Sequence, residues 1–147
     1  MTSISHALIG AAIASRVGDP MAAGILAVIT HFVCDAIPHW DLGTNWRQRP
    51  RLVTGSLAIL ETLVAIFGTF ILFFRNVPPL LLLSTLVFSL IPDWLEVPYY
   101  LMLPNSPKIF YWIYKAQSLI HSKLQAPAGV ATQIAVVTAF LIVGFVL

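Results

Sequence analysis

Residues 31–41, HFVCDAIPHWD, set a polar cluster inside an otherwise apolar chain. His31 and Asp35 are four residues apart, so on a helix their Cβ atoms lie on one face, about 6 Å from each other. That spacing suits two ligands of one metal ion. Pro38 predicts the end of the helix, because the residue before a proline is driven out of the α region, and His39 and Asp41 follow at once from the exit turn. Ala27, Val28, Ile29, Phe32, Val33, Ala36 and Ile37 surround the pair, and an uncompensated carboxylate among them would be costly. The stretch therefore predicts an apolar helix that ends in a group of nitrogen and oxygen ligands.

Composition says where such a helix lies. Of 147 residues 59% are hydrophobic and 10% charged, with a mean hydropathy of +0.89, which leaves far less charged surface than a soluble domain carries. The expectation is a single all-α integral membrane domain. A net charge of +2 from eight Lys and Arg spread over a few loops is too little for a nucleic-acid footprint, so membrane lipids are the expected partners and nucleic acid is not. The lone cysteine, Cys34, excludes an intrachain disulfide and reads as a small apolar filler. The N-terminal MTSISHALIGAAIASRVGDP has no basic n-region or cleavage site and is read as retained structure.

Working outward, residues 3–17 predict an Ala/Ile-rich helix, short for the roughly twenty residues that cross a bilayer. Gly18-Asp19-Pro20 is a turn in which Asp19 can cap, and Pro20 can open, a second helix running to about residue 37. The two form a hairpin. A third helix is expected over 53–74, interrupted only by Glu61, and a fourth over 80–95, ending in IPDWLEVP. Residues 99–125, rich in Tyr and Trp beside Lys108, Lys115 and Lys123, suit an interfacial amphipathic helix. A last uncharged span fills 127–147. The expected architecture is thus a polytopic bundle of about five membrane helices, two hairpins plus a C-terminal helix, and one interfacial helix. AIPHWDL and LIPDWLEV close the second and fourth helices alike, which suggests an internal repeat of 1–41 with 53–97. Basic residues place the N-terminus, the 39–52 loop and the 99–126 segment in the cytoplasm, with Arg47, Arg49, Arg51, Lys108, Lys115 and Lys123 against Arg16 and Arg75.

Ionisable groups within spans cost on the order of 2.5–3.5 kcal/mol each on insertion scales and mark functional interiors. Asp35 and Glu61 face that cost directly, and a divalent cation offsets it by neutralising carboxylates and filling their lone pairs. His6, His31, Asp35, His39, Asp41, Asp93 and His121 are the candidate ligands, with Glu96 a further carboxylate nearby in sequence. Imidazole with carboxylate suits zinc first, then manganese or iron, rather than calcium. The set is large enough for one or two ions, and two can clamp both oxygens of a displacement at phosphorus.

SHALIG, HFVCDAIPHWD, IPDW and the late IHSKL together resemble the YdjM-like family of small bacterial inner-membrane proteins, classed as predicted membrane-bound metal-dependent hydrolases. The resemblance implies a helical membrane protein of the bacterial inner membrane with a His/Asp metal centre on His6, His31, Asp35, Asp93 and His121. The chain departs from that family's pattern before the last motif, where Ser118-Leu119-Ile120 precedes His121, and at Pro92-Asp93-Trp94.

The expected function is hydrolysis of an ester or phosphoester, a lipid by location, at the cytoplasmic face. Glu61 or Asp93 would be the general base, and Arg47, Arg49 and Arg51 would bind an anionic head group. Two readings of other classes stand beside it: a metal or proton transport protein, and a non-catalytic assembly subunit. Homo-oligomers are compatible with all three.

Overall fold

A computed structural model describes residues 1–43, 48–102 and 105–147 of the chain. Six helices follow one another among the described residues: α1 (Ser3–Arg16), α2 (Pro20–Asp35), α3 (Arg51–Phe73), α4 (Pro79–Leu101), α5 (Lys108–Ile120) and α6 (Ala128–Phe145). The all-helical expectation holds. So does the local chemistry of the first turn, where Asp19 caps α2 by accepting from the Ala22 N–H at 2.7 Å and Pro20 occupies the opening position.

The number of spans differs from the expected five. Three helices, α3, α4 and α6, are long and apolar enough to cross a membrane. With 14 and 16 residues, α1 and α2 rise only about 21 and 24 Å, short of a hydrocarbon core of about 30 Å. Nor is α1 a shallow helix at the edge. It packs against α2, α3, α4 and α6, and nine of its residues are buried. Small side chains make this central position reachable, because only Gly and Ala let helix backbones approach closely. A Cβ added to Gly144 of α6 would meet the Ala12 Cβ at 2.7 Å and its Cα at 2.8 Å.

A second difference concerns the end of α4, expected near residue 95, which runs on through Pro98 to Leu101, with Pro92 inside the helix as well. A proline inside a helix removes one N–H and opens a turn, and in a membrane bundle neighbouring helices satisfy the carbonyls so released. The carbonyl that Pro92 deprives of its donor is that of Phe88, and the adjacent Ser89 carbonyl accepts from Nδ1–H of His31 on α2 at 2.8 Å. The expected interfacial segment accordingly divides into the end of α4 and the amphipathic α5, which exposes Trp112 and Leu119 and buries Gln117.

At one end of the bundle the start of α1, the end of α2, the middle of α3 and the start of α6 converge: Glu61 of α3 accepts from the Ser3 N–H at 2.8 Å, and Gln133 of α6 donates to Thr2 at 3.0 Å. At the other end Arg16 donates to the Gly144 carbonyl at 2.9 Å, placing a cation on the C-terminus of α6. The outward faces of α2 (Met21, Ile25, Ile29, Val33) and α3 (Leu60, Phe67, Ile71) are apolar and exposed, as surfaces covered by lipid tails are.

Gly144→Ala drives a methyl into the α1 backbone and is expected to destabilise the detergent-solubilised protein by about 1–3 kcal/mol. At Gly68, where an added Cβ meets nothing within 4 Å, Gly68→Ala is expected to leave the Tm unchanged. Equal Tm values for the two variants would contradict the close α1–α6 packing.

Candidate metal centre

Asp35, the last residue of α2, is 1% exposed and stands at the middle of the converging end. The helix spacing read from the sequence brings His31 Nε2 to 3.3 Å from Asp35 Oδ2. Its other neighbours come from the exit turn of α2 and from distant elements. His6 Nε2 of α1 is 3.1 Å and His39 Nε2 3.7 Å from Oδ1, while His121 Nδ1 is 3.8 Å from Oδ2. The Met1 amino group also contacts Oδ1.

Two sets of three ligands form around this carboxylate, each with donor atoms within 4.8 Å of one another: His6, His31 and Asp93, and Asp35, His39 and His121. Within the first, the His6 and His31 rings stack with centroids 3.9 Å apart, and Asp93 Oδ1 lies 3.5 Å from His31 Nε2. Within the second, His39 and His121 bring their Nε2 atoms to 2.7 Å. Asp41 joins the second set, its Oδ2 2.9 Å from His121 Nε2. The chain thus positions His and Asp groups to hold a metal ion.

The donor chemistry fits such an ion. Nδ1–H of His31 donates to the Ser89 carbonyl and Nδ1–H of His39 to the Ile37 carbonyl at 2.7 Å, which fixes the tautomers and turns both Nε2 lone pairs into the site, the second-shell arrangement of metal-bound histidines. Gln117 Nε2 donates to Asp93 Oδ1 at 3.2 Å and orients that carboxylate in the same way. His31 Nε2 and Asp35 Oδ2 are buried with no hydrogen-bond partner among the described residues, a cost that a cation between them removes.

His121 reaches the site through backbone pairing that no motif announces. Ser122 N–H donates to the Asp35 carbonyl at 2.8 Å, His39 N–H to the Ser122 carbonyl at 3.1 Å and Leu124 N–H to the His39 carbonyl at 2.8 Å. This strap lies under Gly129 of α6, where a Cβ would meet the Leu124 carbonyl oxygen at 2.1 Å and Trp40 N at 2.8 Å.

The remaining candidates fall around a cavity of about 660 Å³ that opens beside the two ligand sets, lined among others by Asp41, Arg49, Glu61, Asp93, Glu96 and His121. Asp93 and Glu61 lie about 12 and 15 Å along the axes from the ends of α4 and α3 at 1.5 Å per residue, so the centre is recessed. Glu61 is in neither ligand set; its carboxylate holds the N-terminus of α1 and faces the cavity. Glu96 accepts from the Tyr100 hydroxyl. Arg49 donates to the Leu42 carbonyl at 2.7 Å and lines the cavity, whereas Arg51, at the start of α3, lines a neighbouring one. Arg47 lies outside the described residues. Sequence reasoning missed Ser89 and Gln117. A backbone carbonyl carries no side-chain signal, although Pro92 three residues on hints at an opened turn; Gln117 precedes His121 by one helical turn, a spacing that could have paired them.

No protein family, curated protein or solved structure compared with this chain matches it.

Burial, reinforced by the Met1 amino group, pulls His39 from 6.5 down to about 4 against the opposing pull of the Ile37 carbonyl and Asp35. Burial raises Asp41, but the His121 hydrogen bond and the Lys123 charge outweigh it and hold that carboxyl well below its usual range. An unfolded chain therefore takes up a proton at residue 39 before the native one does. The contribution of His39 to native stability is complete above pH 6.5 and is lost as pH falls toward 4, with that of Asp41 lost at lower pH. Thermal unfolding followed across that window is expected to show a falling Tm in wild type and a shallower fall in His39→Asn. A flat profile in wild type would contradict a neutral buried His39.

Proposed function

We propose that this protein is an integral membrane metal-dependent hydrolase acting on an ester or phosphoester, a lipid, at the cytoplasmic face of the bacterial inner membrane. One observation carries the reading: two His/Asp ligand sets meet at the buried Asp35 and open onto a cavity walled by a further carboxylate, Glu61, and a guanidinium, Arg49. Three or four nitrogen and oxygen donors per set suit zinc, with manganese or iron the alternatives. The proposed kinship with the YdjM-like family points the same way.

A bound divalent ion supplies Lewis acidity and makes a coordinated water a nucleophile at neutral pH. The chain's own residues have separate tasks in this reading. His6, His31 and Asp93 would hold one ion, and Asp35, His39 and His121, with Asp41 beside them, a second. Glu61, outside both sets, takes the proton from water as general base. Arg49 orients an anionic substrate group across the cavity. A transport function is less well supported, because a path needs polar groups in both membrane halves, and the buried ligands gather at the end of the bundle where α1 begins. Five basic residues of described structure, Arg49, Arg51, Lys108, Lys115 and Lys123, flank the centre's end and two, Arg16 and Arg75, the other, which supports a cytoplasmic site.

Elemental mass spectrometry of detergent-purified wild type is expected to find one or two equivalents of zinc, absent from Asp35→Ala and reduced in His31→Ala. A folded wild type that refuses added zinc and manganese overturns the proposal. Glu61→Gln keeps an acceptor for the Ser3 N–H, so it is expected to retain metal while lowering kcat on a phosphodiester lipid by about 10²–10⁴-fold.

A further inference from the structure

Two cavities meet between α3 and α4. The larger is lined by Asp41 and Asp93 of the candidate ligand sets and by Glu61; the smaller, about 440 Å³, is lined mainly by apolar groups and extends to Ile59 and Leu101, half-exposed residues of two membrane-spanning helices. Their walls share Arg49, Thr54, Ala58, Trp94, Val97 and Tyr100, so the two adjoin. The junction carries the charge and the polarity: the Arg49 guanidinium is there, and the Thr54 hydroxyl oxygen is buried with no hydrogen-bond partner among the described residues.

We propose that the smaller cavity receives one acyl chain of a phosphate-bearing lipid, drawn sideways from the bilayer between α3 and α4, whose head group lies on Arg49 and Thr54 beside the metal centre. The inference rests on the hydrolase reading for what happens to that lipid, but not for its binding. An apolar chamber adjoining a cationic one matches an amphiphile. A free phosphate or a soluble phosphoester satisfies the junction and leaves the apolar chamber wet, which disfavours it by the area left uncovered. Bidentate Arg–phosphate pairing supplies the orientation.

Gly55 makes the inference testable. It lines the smaller cavity, and a Cβ built there meets nothing within 4 Å, so a larger side chain grows into the chamber without displacing backbone. Gly68, on the same helix and equally open, lines neither cavity. Wild type, Gly55→Leu, Gly68→Leu and Arg49→Gln are reconstituted into phosphatidylcholine vesicles containing phosphatidic acid with a diazirine at the end of one acyl chain, irradiated, digested and mapped by mass spectrometry. The expected result is label concentrated at 55–59 and 97–101 in wild type, reduced about tenfold in Gly55→Leu and Arg49→Gln and unchanged in Gly68→Leu, about tenfold corresponding to one lost charge-assisted contact. Label spread evenly along the exposed face of α3, or unaffected by Gly55→Leu, overturns the inference. The readout is binding, not turnover. Concentrated label on a protein that refuses metal sinks the hydrolase reading alone, and even label on a metal-loaded protein sinks this one alone.

Discussion

A buried carboxylate at the end of an apolar helix is the constraint on which the rest of the bundle depends. Asp35 is closed off from solvent and gathers imidazoles from α1, from α2, from the α2 exit turn and from the segment after α5. Removing its partners would leave a charge in a low-dielectric interior, and removing Asp35 would leave four histidines and the Met1 amino group crowded without an anion. Each element that contributes a group is held by a separate device: the Ser89 carbonyl of α4 for His31, a carboxylate on the α1 N-terminus for His6, and a backbone strap under Gly129 for His121. The site and the tertiary fold are the same set of contacts seen from two sides.

The short central helix explains how so many elements can reach one point. A helix of Ala, Gly and Ile presents a narrow cylinder, and four neighbours can approach it together without steric competition. Bulkier residues along α1 would push α6 and α4 outward and separate the ligands they position. The apolar residues that such a helix would otherwise lack are supplied by α4, whose Leu82, Leu86 and Leu90 are buried against it.

How much of this was legible in the sequence follows the range of each interaction. The His31–Asp35 pair is local, four residues on one helix, and its spacing survives folding unchanged. Asp19 and Pro20 are local too. The meeting of His6 with Asp35 required a hairpin, which the turn residues implied, and that of Asp93 with both required a second hairpin. Pro98 was misleading, since a proline signals a helix end in water, whereas α4 runs through it to Leu101 within the bundle. The depth of α1 was hidden for a related reason: length tells how far a helix reaches across a bilayer, while its small residues tell how closely it is enclosed, and the second property overrides the first. Glu61 carried a signal of burial cost but not of its partner, because a main-chain N–H across 58 residues leaves no pattern.

The unequal helix lengths carry a further consequence for the membrane itself. Being enclosed, α1 meets almost no lipid, but α2 presents Met21, Ile25, Ile29 and Val33 outward over a span several ångströms shorter than that of α3 or α4. Hydrocarbon tails next to α2 must shorten or tilt to match it, at a cost of fractions of a kcal/mol per ångström. The bilayer is therefore expected to be dimpled on one side of the bundle and at full thickness on the other. A dimple of that kind lowers the interface toward the recessed histidines and aspartates, which under the proposed function gives water a route from the thin side and lipid one from the thick side.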